Sequence, residues 1–255
     1  MEQKHALIEL QNVHKVYGSG SVALHALRGI NLTIQQGDFV AVMGPSGSGK
    51  STCLNILGCL DVPTDGVYKF QGVEVNKLSR KQRALLRRHY LGFVFQGFNL
   101  LNRTSALDNV ALPLIYRGMS AHERELRSLY ALNEVGLIGW ETHTPAELSG
   151  GQQQRVAIAR AIVTHPKALM ADEPTGNLDT QRSREIMELL CRLNREQGIT
   201  IIMVTHERDM AQYAKRIIHF LDGLISLEET TENYQTPQKQ SSEQSNMETK
   251  ETLTK

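Results

Sequence analysis

The sequence has 255 residues, of which 40% are hydrophobic and 22% are charged. A chain of this length holds one or two domains, and its composition excludes a collagenous, wholly disordered or membrane-spanning protein. The 28 Lys and Arg residues nearly balance the 27 Asp and Glu residues, which argues against a strongly basic nucleic-acid binder.

The first residues and the cysteines indicate the compartment. Residues 1–5 lead into alternating apolar and polar residues, without the basic start and apolar middle of a secretory signal. Cys53, Cys59 and Cys191 follow no CxxC spacing, so we interpret them as small buried hydrophobes in a reducing compartment. The longest aliphatic runs fall far short of the roughly 18 residues of a spanning helix. We therefore expect a cytoplasmic protein.

Hydrophobic periodicity predicts an α/β fold. Residues 6–17 and 30–34 alternate between apolar and polar side chains, the pattern of half-buried antiparallel strands. Continuous apolar runs, typical of parallel strands buried on both faces, occupy residues 38–43, 168–171 and 199–204. Each run is followed by a helical pattern, so crossover connections are expected.

Helical patterns replace strands between about residues 98 and 163, including residues 120–135 and 152–163. We interpret this stretch as a helical subdomain inserted into one folded domain of residues 1–227. Residues 228–255 contain few large apolar side chains, so they cannot offset the entropy of ordering. We predict that this polar tail is disordered.

A phosphate-binding loop follows the first apolar run. Residues 44–51 fit GxxxxGK[ST], in which glycines let backbone N–H groups point at a phosphate chain and the next helix directs its positive end there. Lys50 would reach the β and γ phosphates, and Ser51 would ligate Mg²⁺. The nucleotide-binding residues predicted here are Gly44, Pro45, Ser46, Gly47, Ser48, Gly49, Lys50, Ser51 and Thr52.

Two carboxylates, Asp172 and Glu173, come directly after the apolar run 168–171. Such a pair is costly without a cation, which an adjacent Mg²⁺ would supply. Asp172 would hold the metal, through water, and Glu173 would orient the attacking water. The alternative is that these residues only end a strand and cap a helix, but the phosphate loop upstream favours the catalytic interpretation.

Two further polar residues also follow apolar runs. His206 comes after residues 199–204, and Gln96 comes after the short predicted strand 91–95. Because ligands bind beyond the carboxyl ends of parallel strands, both can converge on the phosphate loop. His206 would contact the γ-phosphate, and Gln96 would touch Mg²⁺ or the attacking water. The alternative for each is an ordinary polar residue at a strand end.

A second anion site is predicted at the LSGGQ segment, residues 148–152. Two glycines and a serine precede a long helical pattern, which makes a helix N-terminus suited to phosphate. The segment lies in the helical insertion, far from the first site, so we infer that two chains share each nucleotide. The residues assigned to this second site are Ser149, Gly150, Gly151 and Gln152.

These motifs resemble, in order and spacing over residues 6–227, those of the ATP-binding cassette (ABC) ATPases. The resemblance implies an α/β P-loop NTPase fold, with a RecA-like core, an antiparallel β subdomain and an inserted α-helical subdomain. It also implies ATP and Mg²⁺ as ligands and ATP hydrolysis as the reaction. In the same way it assigns Tyr17 to stacking on adenine, with a packed strand residue as the alternative, and Asp179 to the nucleotide-binding set.

Residues 55–61, 91–101 and 171–179 look most like MacB-type macrolide-export and LolD-type lipoprotein-release ATPases. This likeness implies an ATP-dependent homodimer on the cytoplasmic face of the inner membrane, with a separate membrane permease reached through residues 98–116. A periplasmic adaptor protein would be a further partner. No nucleic-acid partner is expected, because the basic residues of segment 79–90 are interrupted by leucines and indicate a solvated helix face.

Two other functions are alternatives to a transporter ATPase. A soluble ABC ATPase acting on ribosomes or DNA usually carries tandem cassettes or a long coiled coil between the phosphate loop and the carboxylates. Neither fits a single cassette in which Asp172 follows Lys50 by 122 residues (172 − 50). A module that transmits only mechanical work in the envelope differs in its partner alone and stays open.

Overall fold

The computed structural model describes residues 6–231, which form two β-sheets with helices between and beside them. The smaller sheet is antiparallel, in the order β2-β1-β4-β5. Its strands are β1 (Ala6–Tyr17), β2 (Leu24–Gln35), β4 (Asp65–Phe70) and β5 (Val73–Glu74). It supplies the antiparallel β subdomain that the family resemblance implies.

The larger sheet has six strands in the order β10-β9-β3-β8-β7-β6. All its neighbours are parallel except β9 and β10. Its strands are β3 (Phe39–Met43), β6 (Leu91–Phe95), β7 (Ala168–Asp172), β8 (Thr200–Val204), β9 (Arg216–Leu221) and β10 (Leu224–Thr230). The strands predicted from continuous apolar runs are thereby confirmed as members of one parallel sheet.

The helices connect these strands. Between β6 and β7 lie α3, α4 and α5, in the stretch where a helical insertion is predicted. The helices are α1 (Lys50–Leu57), α2 (Arg80–Tyr90), α3 (Ala106–Tyr116), α4 (Ala121–Glu134), α5 (Gly150–Ile162), α6 (Thr180–Gln197) and α7 (Arg208–Ala211), with 3₁₀ turns at Gly20–Val22, Val75–Lys77 and Pro145–Glu147. Within residues 6–231, no helix combines the length and the apolar character that a bilayer crossing requires.

Two hydrophobic cores lie on opposite faces of the parallel sheet. Along β3, Val40 and Val42 point into the core shared with α1 and the antiparallel sheet, whereas Phe39 and Ala41 point into the core shared with α3 to α6. This alternation of burial on both faces explains why β3 has no polar positions. Helix α1 is thus held between the two sheets, with its N-terminus at the end of β3.

Two predicted boundaries are wrong. Strand β2 begins at Leu24 and pairs with β1 up to Tyr17, whereas the prediction starts it at residue 30. Bulges in β2 at Gly29 and Ala26, which the pairing with β1 skips, break the simple alternation. At the other end, β10 continues to Thr230, so the domain does not end at residue 227. As an edge strand, β10 carries polar residues and resembles a tail in composition. The remainder of the predicted tail, residues 232–255, lies outside the described residues.

Close packing between β6 and α5 generates a test of the fold. A Cβ added at Gly92 would lie 2.5 Å from the Ala161 carbonyl oxygen and 3.0 Å from Leu169 Cδ1. We expect Gly92→Ala to lower the free energy of unfolding by about 1–3 kcal/mol in urea titrations, because backbone cannot move aside easily. Gly97→Ala is the control, since its nearest neighbour, Asn99 Oδ1, would be 3.5 Å away. Equal stability of the two variants would contradict this packing.

Candidate functional site

The phosphate loop joins β3 to α1 and is shaped by two glycines. Gly44 and Gly49 have φ angles of 149° and 102°, which side-chain-bearing residues rarely adopt. A Cβ would lie 2.2 Å from the Phe220 carbonyl oxygen at Gly44 and 2.6 Å from the Ala26 carbonyl oxygen at Gly49. The loop is therefore pressed against β9 and β2. It opens on a cleft of about 820 Å³, where the start of α1 offers unpaired N–H groups and a positive dipole end to an anion.

Lys50 lies over this loop. Its Nζ donates to the carbonyl oxygens of Gly44 and Pro45, at 2.8 Å each. The ammonium group is thus held on the cleft side of the loop, where Ser51 and Thr52 also line the cleft. A glycine cradle with a lysine above it fits a polyphosphate chain, which supplies the negative charge that Lys50 and the helix end would bind.

Asp172 ends β7 and carries an unfavourable charge. Burial raises the pKa of Asp172 above its ordinary value, the neighbouring charge of Glu173 raises it further, and Lys50 partly opposes both. Asp172 pairs in register with Phe95, the last residue of the adjacent strand, and Gln96 directly follows that strand. A cation beside Asp172 would offset the cost of its burial.

The donor set here fits Mg²⁺. Ser51, Asp172 and Gln96 offer oxygen atoms, which Mg²⁺ prefers, and only one of them is a carboxylate. In the described part of the chain, no cluster of three or more His, Cys, Asp or Glu residues could hold a metal ion. Mg²⁺ usually takes one or two carboxylates and completes its shell with water and substrate phosphates. The residues therefore suit a metal bound together with a nucleotide.

The side chains of Glu173 and His206 form a hydrogen-bonded pair in the cleft. Glu173 Oε1 lies 3.0 Å from His206 Nδ1, and both residues line the cleft beside the phosphate loop. Glu173 has a φ angle of 45°, which is uncommon for a residue with a side chain. Its N–H donates to the Val204 carbonyl oxygen at 2.9 Å, which holds this conformation. Such backbone strain, worth roughly 1–3 kcal/mol, is typical of catalytic positions.

Tyr17 lies in the same cleft, at the end of β1. The residue is 38% exposed, and its hydroxyl donates to Asp61 Oδ2 at 2.8 Å. Burial raises the pKa of Tyr17, and the hydrogen bond to Asp61 raises it further. The structure thus brings together Tyr17, the phosphate loop, Glu173 and His206, four groups from separate elements.

The LSGGQ segment is not part of this cleft. Ser149 caps α5: its hydroxyl accepts from the Gln152 N–H at 3.4 Å, and Gln152 Oε1 accepts from the Ser149 N–H at 2.9 Å. Among the described residues that line the cleft, none comes from residues 149–152. Sequence analysis places these residues far from the first site within one chain, and the cleft lining agrees.

Asp179 lies beside the LSGGQ segment instead of in the cleft. It caps α6 by accepting from the Arg182 N–H at 3.0 Å, and a Cβ on Gly151 would lie 3.2 Å from Arg182 Cδ. Leu178 is equally close to Gly150, since a Cβ there would lie 3.4 Å from Leu178 Cδ2. Asp179 and the LSGGQ segment therefore share one surface.

Two further side chains, the buried Gln154 and the half-buried Arg160, support the site and are not predicted from the sequence. Gln154 is fully buried, and its Nε2 donates at 2.6 Å to the carbonyl oxygen of Pro174, next to Glu173. Arg160 donates to the carbonyl oxygens of Phe98 and Asn99, at 2.8 and 2.5 Å, in the turn after Gln96. The only local signal is a polar residue on the apolar side of a helix, which does not reveal a partner far along the chain.

Gln96 itself meets the loop that precedes α6. The Asn177 side-chain amide donates to the Gln96 carbonyl oxygen at 2.8 Å, and Gln96 Nε2 lies 3.5 Å from Asn177 Oδ1. Gln96 therefore stands between the helical insertion and the segment that carries Asp179.

Comparison with known proteins agrees with this geometry. A family model described as ABC transporter matches residues 27–176. The chain is 52% identical over 224 residues to the macrolide export ATP-binding/permease protein MacB of Syntrophobacter fumaroxidans, an alignment that covers 87% of this chain and 31% of MacB. For MacB of Neisseria meningitidis serogroup B the identity is 48% over 232 residues, covering 91% of this chain and 36% of MacB. The chain spans about a third of the length of these relatives.

Solved structures share this fold over most of the chain. The ATP-binding cassette MJ0796, solved as a dimer in a post-hydrolysis state with ADP and Pi, is 46% identical, with a TM-score of 0.80 over 88% of this chain and 98% of MJ0796. Another is cbiO1 of Clostridium perfringens, part of the ABC transporter complex cbiONQ, at 32% identity and a TM-score of 0.81 over 89% of each chain. The chain therefore belongs to the ABC transporter family, as one of its ATP-binding cassettes.

Proposed function

We propose that the chain hydrolyses Mg-ATP and thereby drives a membrane permease of the MacB type. The observation that carries this proposal is the Glu173–His206 pair, 3.0 Å apart in the cleft that also contains the phosphate loop. A carboxylate and an imidazole beside a γ-phosphate can activate water and stabilise the developing charge. The likeness to a cassette solved with ADP and Pi supports hydrolysis as well as binding.

The mechanism follows from these positions. Tyr17 stacks on the adenine, and the loop amides with Lys50 hold the β and γ phosphates. Ser51, Asp172 and Gln96 would hold Mg²⁺, which supplies positive charge to the phosphate oxygens when it is bound. Glu173 accepts the proton of the water whose oxygen attacks the γ-phosphorus, while the bond to the bridging oxygen breaks. Because Nδ1 of His206 is paired with Glu173, the other ring nitrogen of His206, Nε2, is directed at the γ-phosphate.

We further infer that two copies close over each nucleotide. The LSGGQ segment lies outside its own cleft, and its helix N-terminus suits an anion. A second copy would place Ser149 and Gly151 on the γ-phosphate, with Asp179 on the same surface. The similar cassette MJ0796 was solved as a dimer, which supports this arrangement. Hydrolysis removes the shared ligand and lets the copies part.

A groove beside the helical insertion is the proposed docking site of the permease. It encloses about 590 Å³ and is lined by residues of α2, β6, α3 and α5, including the strongly exposed Tyr116. Arg160 also lines it, and the same side chain holds the turn after Gln96. A permease segment in this groove would act on Gln96 through that turn. The cassette would then lie on the cytoplasmic face of the membrane, with a periplasmic adaptor as a further proposed partner.

The first prediction concerns the catalytic carboxylate. Glu173→Gln should reduce ATP hydrolysis by about 100-fold or more, because the amide cannot accept the water proton. ATP affinity should stay close to that of the parent, since the phosphate loop is intact. Phosphate release and equilibrium binding measure the two effects. Glu196→Gln, on the exposed face of α6, is the control for loss of one carboxylate. Parent-like hydrolysis by Glu173→Gln would remove Glu173 from the mechanism.

A second prediction uses the raised pKa of Asp172. A carboxyl group whose pKa is higher in the folded chain stabilises the fold below its unfolded pKa, and this contribution is lost as the pH rises through the folded pKa. At neutral pH the charged group therefore costs stability. Asp172→Asn should leave the Tm without nucleotide and Mg²⁺ equal or higher, whereas Mg-dependent hydrolysis should fall by about 10- to 100-fold.

The matched control for Asp172 is Asp209→Asn, on the exposed face of α7, which should change neither quantity. Thermal melts with and without Mg-ATP and hydrolysis at pH 7 provide the measurements. A lower Tm together with normal hydrolysis would show that Asp172 supports the fold and not the metal.

A third prediction separates the two halves of the shared site. Asp and Asn cap helices as well as Ser does, so Ser149→Asp and Ser149→Asn should both fold. Only Asp adds a negative charge against the γ-phosphate, so its hydrolysis should fall at least about tenfold below that of Asn. ATP binding to a single copy should be the same in both. If the two variants hydrolyse ATP at equal rates, the LSGGQ segment does not meet the phosphate.

A further inference from the structure

Asp61 ties the ring of Tyr17 to helix α1. Its backbone N–H donates to the Asn55 carbonyl oxygen at 3.2 Å, which fixes it just beyond the helix. Its Oδ2 accepts from the Tyr17 hydroxyl at 2.8 Å, and its Oδ1 accepts from Lys15 Nζ at 2.6 Å. The phosphate loop begins the same helix, whose eight residues span roughly 12 Å. The ring is thereby attached to the helix that the phosphate loop begins, and its hydroxyl also interacts with the side chain of Thr52 in the first turn of that helix.

Lys15 completes the arrangement from β1. It is only 8% exposed, which is rare for a lysine without a defined role. Its Nζ also donates to the Val62 carbonyl oxygen at 2.9 Å and lies 4.8 Å from the centroid of the Tyr17 ring. Although burial acts to raise the pKa of Asp61, hydrogen bonds led by that from Lys15 hold it below its ordinary value, so the carboxylate is charged at neutral pH.

The anchors converge on one aromatic side chain. A tyrosine ring at the end of a strand can otherwise change rotamer, and each rotamer would place the ring differently in the cleft. The Asp61 hydrogen bond fixes the hydroxyl end, and the Lys15 ammonium lies over the ring. A cation on a ring draws electron density from it, which favours stacking on an electron-rich purine.

We propose that Lys15 and Asp61 are positioning residues for the base of the nucleotide. They hold Tyr17 at a set distance from the phosphate loop, so that the cleft prefers a triphosphate that carries a purine over a bare triphosphate. This inference rests on the proposed function in that it takes the cleft to bind ATP. Among the described residues that line the cleft beside the phosphate loop, neither Lys15 nor Asp61 is found.

The test compares ATP with inorganic tripolyphosphate, which has the phosphates but no base. Binding of each is measured by titration calorimetry in a parent chain that carries Glu173→Gln, so that no turnover occurs. The double variant Lys15→Met/Asp61→Leu replaces the ion pair with apolar residues, which buried sites usually tolerate better than the loss of one charge. Arg127→Met/Glu123→Leu, an ion pair of 2.9 Å on α4, is the matched control. A urea titration verifies that each variant is folded.

We expect the double variant to bind ATP about tenfold more weakly, the size of one lost base–aromatic contact, with tripolyphosphate affinity unchanged. Tyr17→Phe keeps the ring and removes only the hydroxyl that Asp61 holds, so it should weaken ATP binding about threefold. The α4 control should bind both ligands like the parent.

Two results in the double variant would overturn the inference. A parallel fall in both affinities would show that the pair supports the fold alone, and unchanged ATP affinity would show that Tyr17 needs no anchor. A parent that binds ATP no better than tripolyphosphate would also overturn it while leaving the phosphate site in place. A parent that binds neither ligand would overturn the proposed function and this inference with it.

Discussion

The parallel pairing of β3, β8 and β7 fixes where the chemistry takes place. Val42 lies opposite Val204, and Val204 lies opposite Asp172. The residues that follow each strand therefore leave the sheet at one level, which brings Gly44, Glu173 and His206 to a single edge although up to 162 residues separate them (206 − 44). Parallel strands cannot slip by one residue here, because both faces are buried in separate cores.

The stability that the two cores provide offsets unfavourable features of the site. Glu173 adopts a strained backbone conformation, and burial raises the pKa of the Asp172 carboxyl group. Both features are unfavourable without ligands, and both fit groups that meet a cation and a reactive phosphate. Close packing elsewhere stabilises the fold enough to tolerate both features. Ligand binding would offset part of their free-energy cost.

Features that depend on residues close together in the chain can be predicted from the sequence. The phosphate loop needs glycines next to a lysine, and the apolar run before Asp172 needs burial on both faces, so local patterns predicted both. The helices around residues 120–135 and 152–163 begin at serine caps or glycines, and their predicted bounds lie within two residues of α4 and α5. These features depend on neighbours in the chain, which a sequence shows directly.

Contacts between residues far apart in the chain cannot be predicted from the sequence patterns. Lys15 and Asp61 are separated by 46 residues, and Arg160 reaches carbonyl oxygens about 60 residues away, so no periodicity links them. Only the last three residues of β10, 228–230, are wrongly assigned to the tail, because Glu228, Glu229 and Thr230 have a tail's composition. The order of β10 comes from pairing with β9 and from the bond between Arg216 and Glu228, at 2.6 Å.

The sharing of one γ-phosphate between two copies is the central claim, and the mass of the particle in solution tests it most directly. Light scattering on the Glu173→Gln chain should show a monomer without nucleotide and with Mg-ADP, and a dimer with Mg-ATP. A particle that stays monomeric with saturating Mg-ATP, at protein concentrations where binding is complete, would contradict the claim.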